Sequence, residues 1–418
     1  MTLSATGFAV LRHRDFRLYV GARACGTIAQ QMIIVAVGWQ VYARTGRLLD
    51  LGWIGLSQFL PFLSLALIAG HVADAFDRRL ILVLCACAQF LCASLLLLFA
   101  VAGLAATWPV FVVLALLGIA RAFQMPTGQS LLPNLIPAEL LGNAIALSSS
   151  TFQVATIAGP SLGGALYALS ERPGMPGGAA ALVYAAADGM LLLAVLNMVM
   201  IGARRDASRS VAVSWATLLE GLRFVWRRKT LLGAMSLDLF AVLFGGATAL
   251  LPAFTRDVLH AGPEVFGLLR TAPGIGAGVT ALALAFRPIH RHVGLYMFAG
   301  VGLFGAMTVI LGFTHHVAVA LVALALLGCG DMLSVFIRSV LVQRETPDAI
   351  RGRVSAVNAI FIGASNELGE FESGITAAWL GLVPAIVAGG VLTLGVTVVW
   401  AWVLFPRLRR LQSFDELK

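Results

Sequence analysis

Charge is what this chain has least of. Asp, Glu, Lys and Arg make up 12% of its 418 residues, against about 25% in soluble domains. With 59% hydrophobic residues, a globular fold of this length could not cover itself with wettable surface, so the solvent for most of the chain is lipid. Lysine is nearly missing: only Lys229 and Lys418 occur, and neither follows a glycine-rich loop. That excludes an ATP-binding phosphate loop, and with it an ATP-driven pump unless a partner supplies the ATPase. The net charge of +9 forms no nucleic-acid patch, because the basic residues sit in short segments between apolar runs. All five cysteines (Cys25, Cys85, Cys87, Cys92 and Cys329) lie inside apolar runs, none at ligand spacing to a histidine. They fit small packing residues and neither disulfides nor a zinc site. The pair His315-His316 has no further ligands near it in sequence, so neither a metal nor a cofactor is expected. No GxSxG, HExxH or CxxC motif occurs, and the charges inside the apolar runs make no nucleophile–base set. A membrane enzyme or a non-transporting sensor therefore stays an alternative, and the expectation is no enzyme.

What the chain has instead is length of apolar sequence. A membrane-spanning helix needs roughly 20 mostly apolar residues, and twelve such runs can be drawn: 18–42, 51–73, 80–104, 108–132, 141–168, 178–202, 231–255, 263–286, 293–314, 317–341, 354–380 and 383–405. The first follows Arg12, Arg14 and Arg17 and lacks a cleavage site, which predicts a signal-anchor helix and not a removable leader. With the N-terminus on the cytoplasmic side, the inner connections carry 21 of the 29 Lys and Arg residues and the outer ones 4. Cytoplasmic loops collect positive charge, so both termini are expected in the cytoplasm.

The runs come in two sets. Leu114-Ala115-Leu116-Leu117-Gly118 returns as Leu324-Ala325-Leu326-Leu327-Gly328, an offset of 210. The same offset carries Pro137 onto Pro347, Gly142 onto Gly352, Gly159 onto Gly369 and Gly164 onto Gly374. Isolated prolines and spaced glycines do not align through composition alone, so the chain is a duplication, the mark of a membrane transporter. The division expected is 1–202 for a first six-helix half, 203–230 for a linker, 231–405 for a second half and 406–418 for a tail. Within the linker, Trp215, Leu218, Leu219, Leu222 and Trp226 recur at helical spacing beside Arg223, Arg227, Arg228 and Lys229. That predicts an amphipathic helix on the anionic inner leaflet.

Two motifs carry a family resemblance. Gly70-His-Val-Ala-Asp74-Ala-Phe-Asp77-Arg78-Arg79, between runs two and three, resembles the loop signature of the major facilitator superfamily. It departs at Ala75, where Arg is usual, and at Asp77, where Gly is common. Gly159-Pro160-Ser-Leu-Gly163-Gly164 in run five resembles the antiporter signature of that superfamily's exporters. Arg14-Asp-Phe16-Arg17, Arg23, and Pro137 with Gly142 echoed by Pro347 and Arg351-Gly352-Arg353, resemble the enterobactin-exporter branch, which also includes macrolide efflux proteins. The resemblance implies an all-α fold of twelve spans in two pseudo-symmetric halves. It also implies a cytoplasmic gate at Gly70, Asp74, Arg78 and Arg79, and an export seam at Gly159, Pro160, Gly163 and Gly164.

Charges inside a membrane are costly and mark function by default. By the resemblance, spans one, four, seven and ten line the central cavity, and each carries one: Arg23, Arg121, Asp238 and Asp331. Asp331 is Arg121 shifted by 210, and Asp238 is Arg23 shifted by 215. These four are the candidates for substrate contact and coupling, either as opposite walls of a hydrated cavity or as static salt bridges. Testing Arg23 with Asp238 and Arg121 with Asp331 follows from the offsets. Glu367 and Glu370 in span eleven share a helical face; they are candidate proton sites, or else they satisfy Arg338 or Arg270. The expectation is a proton-coupled exporter, functional as a monomer, of a siderophore or similar small amphipathic compound across a bacterial inner membrane. Multidrug or macrolide efflux is the alternative, and proton-coupled uptake the next.

Overall fold

The computed structural model describes residues 8–104, 106–170, 178–202, 215–289, 291–347 and 350–417. Every drawn run is helical over most of its length, and all but the seventh hold one long α-helix. The first half holds span one (Arg14–Thr45), two (Leu48–Ala75), three (Arg78–Val101), four (Trp108–Leu131), five (Leu141–Ser170) and six (Ala179–Val199). The second half holds span eight (Pro263–Phe286), nine (Val293–Phe313), ten (Val317–Glu345), eleven (Arg351–Leu380) and twelve (Leu382–Val399), preceded by span seven. Among the described residues, 11 helices are long and apolar enough to cross a membrane. The twelfth, span eleven, is 30 residues long. It falls short in apolarity and not in length, because Asn366, Glu367, Glu370 and Glu372 interrupt it.

Span seven departs from the single run read in the sequence. Its helix Lys229–Phe244 stops at Gly245-Gly246, then continues as a 3-10 turn Ala247–Leu250, a short α turn and a π-helical turn Phe254–Val258. Both glycines are there because neighbours come too close for a side chain. A Cβ on Gly246 would lie 2.6 Å from the Gly369 carbonyl of span eleven, and one on Gly245 would enter the Phe304 ring.

Lipid accounts for the outward faces. On span three, Leu84, Leu91 and Leu98 are exposed while Leu82, Cys85, Cys92 and Leu96 are buried. A helix apolar on both its packed and its open side belongs in a membrane.

The halves repeat their internal packing. Span three packs on four and six, and span nine on ten and twelve. Gly118 of span four lies against the Gln58 main chain of span two, and Gly328 of span ten against the Pro273 main chain of span eight. The glycines are 210 residues apart and their neighbours 215, the same two offsets as in the sequence. A second seam repeats likewise. A Cβ at Gly159 would lie 3.1 Å from the Ile28 carbonyl, and one at Gly163 3.0 Å from Met32 Cα, both on span one. At Gly369 it would lie 2.8 Å from the Val242 carbonyl of span seven. Glycine at such places lets two helix backbones approach where no other residue fits.

By its contacts the chain divides into Met1–Gln40 with Ser57–Val213, and Val41–Leu56 with Ser214–Lys418. Within the second unit, the Tyr42 hydroxyl donates to the Asp257 carboxylate, and Trp53 meets Phe371 edge-on at 5.3 Å. The linker helix Trp215–Arg227 also belongs to this unit. It seats Gly221 on the Arg353 main chain of span eleven and Glu220 against the Arg353 guanidinium, leaving Leu219 and Trp226 exposed.

Candidate functional site

In the second half, Asp238 of span seven and Arg338 of span ten form an ion pair. Both are buried, at 4% and 2% exposure. Asp331 is half-buried and lies within electrostatic range of both. Asp331, Ser334 and Arg338 fall three and four residues apart, so span ten presents them on one face. The Ser334 hydroxyl and Arg338 Nε make no hydrogen bond among the described residues. Two carboxylates thus share one guanidinium in a low-dielectric interior, where an uncompensated charge is costly.

Asp238 takes its counter-charge from Arg338 of its own half. Of the two arginines the sequence offered the acids of span eleven, Arg338 or Arg270, Glu370 lies at Arg270. Glu370 Oε1 lies 3.9 Å from Arg270 Nη2 of span eight, and its side chain covers Gly55, where a Cβ would lie 2.7 Å from Oε2. Glu367 is half-buried on the same helix. Glu372, turned away, accepts a 2.7 Å hydrogen bond from the Thr376 hydroxyl one turn on.

In the first half, Arg23 Nη1 donates to the Ser148 hydroxyl of span five at 2.9 Å, and the guanidinium lies over the Phe152 ring, 5.0 Å from its centre. The Tyr19 hydroxyl, beside Arg23, donates to the Gly128 carbonyl of span four at 3.0 Å. Arg121 lies over Phe62 at 5.5 Å. Such stacking offsets part of the cost of holding a cation away from water.

Three residues of the loop signature make local contacts. Asp77, one of its departures, caps span three: its carboxylate accepts from the Arg79 backbone N–H at 2.8 Å and the Leu80 N–H at 3.4 Å. Arg78 donates to the Ser130 carbonyl at the end of span four, 3.1 Å away, and Arg79 to the Val199 carbonyl at the end of span six. The two arginines tie helix ends inside the first half, where open carbonyls attract cations. Gly70 meets nothing within 4 Å among the described residues, so no close helix approach explains it. The Asp74 side chain lies outside the described residues. Pro160, Gly163 and Gly164 are buried with Gly159 on span five, and Gly159 and Gly163 form the seam with span one.

The transmembrane secretion effector family matches residues 5–417. The chain is 24% identical to the staphyloferrin A transporter of Staphylococcus aureus over 88% of its length and 91% of that protein. It is 28% identical to the multidrug efflux pump Tap of Mycolicibacterium fortuitum, over 90% and 92% of the two chains. To the enterobactin exporter EntS of Shigella boydii it is 25% identical, over 95% and 94%. Its fold matches that of a bacterial homolog of the human lysosomal transporter Spinster, solved inward-facing and occupied, with a TM-score of 0.73 at 14% identity over 96% of this chain and 97% of that one. Twelve spans, a repeated internal packing and full-length likeness converge on one assignment: the chain belongs to the transmembrane secretion effector family of the major facilitator superfamily, and is a multi-pass membrane transporter and not an enzyme.

Proposed function

We propose that this transporter is a proton-coupled exporter of a siderophore or similar small amphipathic compound, working by alternating access as a monomer in a bacterial inner membrane with both termini cytoplasmic. The observation that carries the coupling is the charge balance around Arg338. One guanidinium pairs with Asp238, and Asp331 stands within range of both, so the cluster carries one negative charge in excess when both carboxylates are ionised. A proton on Asp331 closes that balance and its release reopens it. Because Asp331 is less deeply buried than Asp238 and Arg338, Asp331 is the member best placed to exchange a proton with water. Arg23 and Arg121 are the substrate-contact candidates of the first half. Glu367 and Glu370 are a second proton site in this reading, held by Arg270. Gly70, Asp74, Arg78 and Arg79 form the cytoplasmic gate, and the glycine seam of spans one and five is the surface along which the first half changes shape.

Export is supported by the exporter-like motif at Gly159-Pro160 and by the likeness to the enterobactin exporter EntS, with the staphyloferrin A transporter as a second relative of this kind. Multidrug efflux is the second reading, favoured by the likeness to Tap. Purified protein in liposomes with an imposed proton gradient decides among these. The reading expects enterobactin or staphyloferrin A to move against its gradient as protons move the other way. Co-directional movement makes the protein an importer, and transport of a drug panel with no siderophore movement favours efflux.

A further inference from the structure

The two halves neutralise their matched intramembrane charges in opposite ways. In the second half, the carboxylate at position 238 is met by Arg338. The corresponding positions of the first half are Arg23, by the 215 offset, and Gly128, by the 210 offset. Gly128 carries no side chain at all, and the Tyr19 hydroxyl lies beside it and donates to its carbonyl. Arg23 is left with a serine hydroxyl, a phenyl ring and a phenol around it. None is an anion, and among the described residues no carboxylate pairs with it.

The side chain is nonetheless held in one pose. Ser148 is 1% exposed and fixes Nη1, while Phe152 supports one face of the guanidinium. Arginine has five N–H donors in a rigid fork, and its contacts with Ser148 and Tyr19 use only part of them. Arg23 is half-buried, so the fork is seated and still reachable. A membrane-embedded cation, pre-positioned by neutral groups and lacking an internal counter-ion, is a receptor for an anion brought from outside.

We propose that Arg23, seated by Ser148 and Phe152, binds an anionic group of the transported compound that offers paired oxygens, as a carboxylate does. The substrate class is then the amphipathic organic anion, with its apolar part against rings such as Phe152. This rests on the reading of the protein as a transporter of small amphipathic compounds, and narrows it by charge.

The test uses two dyes that share a xanthene ring system and differ in charge, fluorescein as the anionic carboxylate and rhodamine 6G as the esterified cation. Binding is read by fluorescence anisotropy with the full chain in lipid nanodiscs. Wild type should bind fluorescein at least about tenfold tighter than rhodamine 6G, with benzoate displacing the fluorescein. Arg23→Gln should weaken fluorescein about ten- to a hundredfold, the range for loss of a charged hydrogen-bonding partner, and leave rhodamine 6G unchanged. Arg23→Lys keeps the charge without the fork and should fall between the two. Fluorescein binding of wild-type strength in an Arg23→Gln protein of normal helix content overturns the proposal, as does a preference for rhodamine 6G in wild type. If Arg23→Gln does not fold, Arg23→Lys and Ser148→Ala decide: wild-type fluorescein affinity in both overturns it. Should neither dye bind while cells still secrete a compound through the protein, the anion site is wrong and the exporter reading stands. Should neither dye bind and nothing be secreted, both fail.

Discussion

The guanidinium of Arg338 closes on the carboxylate of Asp238, across spans ten and seven, wholly inside the second half. Both side chains are buried almost completely. Removing one member of such a pair strands the other in a low-dielectric interior, which typically costs about 3–5 kcal/mol, whereas replacing both with apolar residues of similar volume can be neutral. Arg338→Met should therefore destabilise the protein by about that amount, and Asp238→Leu with Arg338→Met should recover most of it. Unfolding in mixed micelles titrated with SDS measures both. A single variant as stable as wild type would show that the pair carries no weight.

Asp331 stands beside this pair without closing it. Asp331→Asn keeps the shape and hydrogen-bonding capacity but cannot lose a proton. Such a protein should lose uphill, proton-driven transport in liposomes and keep downhill exchange of the same compound. Normal accumulation with unchanged pH dependence would move coupling to Glu367 and Glu370.

The glycine seams make a graded prediction. At Gly118 a Cβ would enter the Gln58 main chain, whereas at Gly142 it meets nothing within 4 Å. Gly118→Ala should cost about 1–3 kcal/mol through overpacking. Gly142→Ala, in the first turn of span five, should be neutral or stabilising by up to about 1 kcal/mol. Gly328→Ala should follow Gly118→Ala, since its obstacle is the Pro273 main chain. Equal melting behaviour of the three variants would mean the seams are loose.

Gly159→Leu and Gly163→Leu test motion and not stability alone. Each would press a branched side chain into the main chain of span one, at Ile28 and Met32 respectively. Transport should fall at least about tenfold in both, as expected when a close helix contact needed for cycling is wedged open. Full transport by both would show that span five need not approach span one during the cycle.

Asp77→Ala removes the cap of span three and should cost about 1 kcal/mol, while Asp77→Asn, which can still accept, should cost less. Thermal unfolding in detergent separates the two. Identical stability of all three proteins would mean that the cap is replaced by water.

Much of this architecture was legible because glycine and proline leave marks that hydrophobic composition cannot imitate. The 210 offset placed Gly118 on Gly328 and Gly159 on Gly369, and the structure puts each pair at a helix crossing. Span limits were equally readable, since the apolar runs had charged or glycine-rich ends. The break in span seven had a sign in Gly245-Gly246, but a pair of glycines inside a membrane run is as compatible with close packing as with a break. Asp77 followed by Arg78-Arg79-Leu80 has the look of a helix start, and the family likeness drew attention to its departure instead of its cap. What the sequence could not show was who neutralises whom. Asp238 and Arg338 lie on different helices a hundred residues apart, and symmetry pointed Asp238 toward Arg23 because it matches positions, not contacts. The likeness of the halves broke down at Gly128, where the equivalent of Arg338 is missing.

The crossing at Gly118 also has a genetic meaning. The atoms that a side chain there would strike belong to the backbone of residue 58, and every amino acid carries those atoms alike. No replacement of Gln58 can therefore make room, and a suppressor of a larger residue at 118 has to arise where it shifts a whole helix. Gly233 offers the contrast. Its nearest obstacle is the ring of Phe405, 2.8 Å from where a Cβ would stand, and a smaller residue at 405 removes that ring in one mutational step. Descendants of this chain can leave glycine at 233 by a paired change with 405, while at 118 that route is closed.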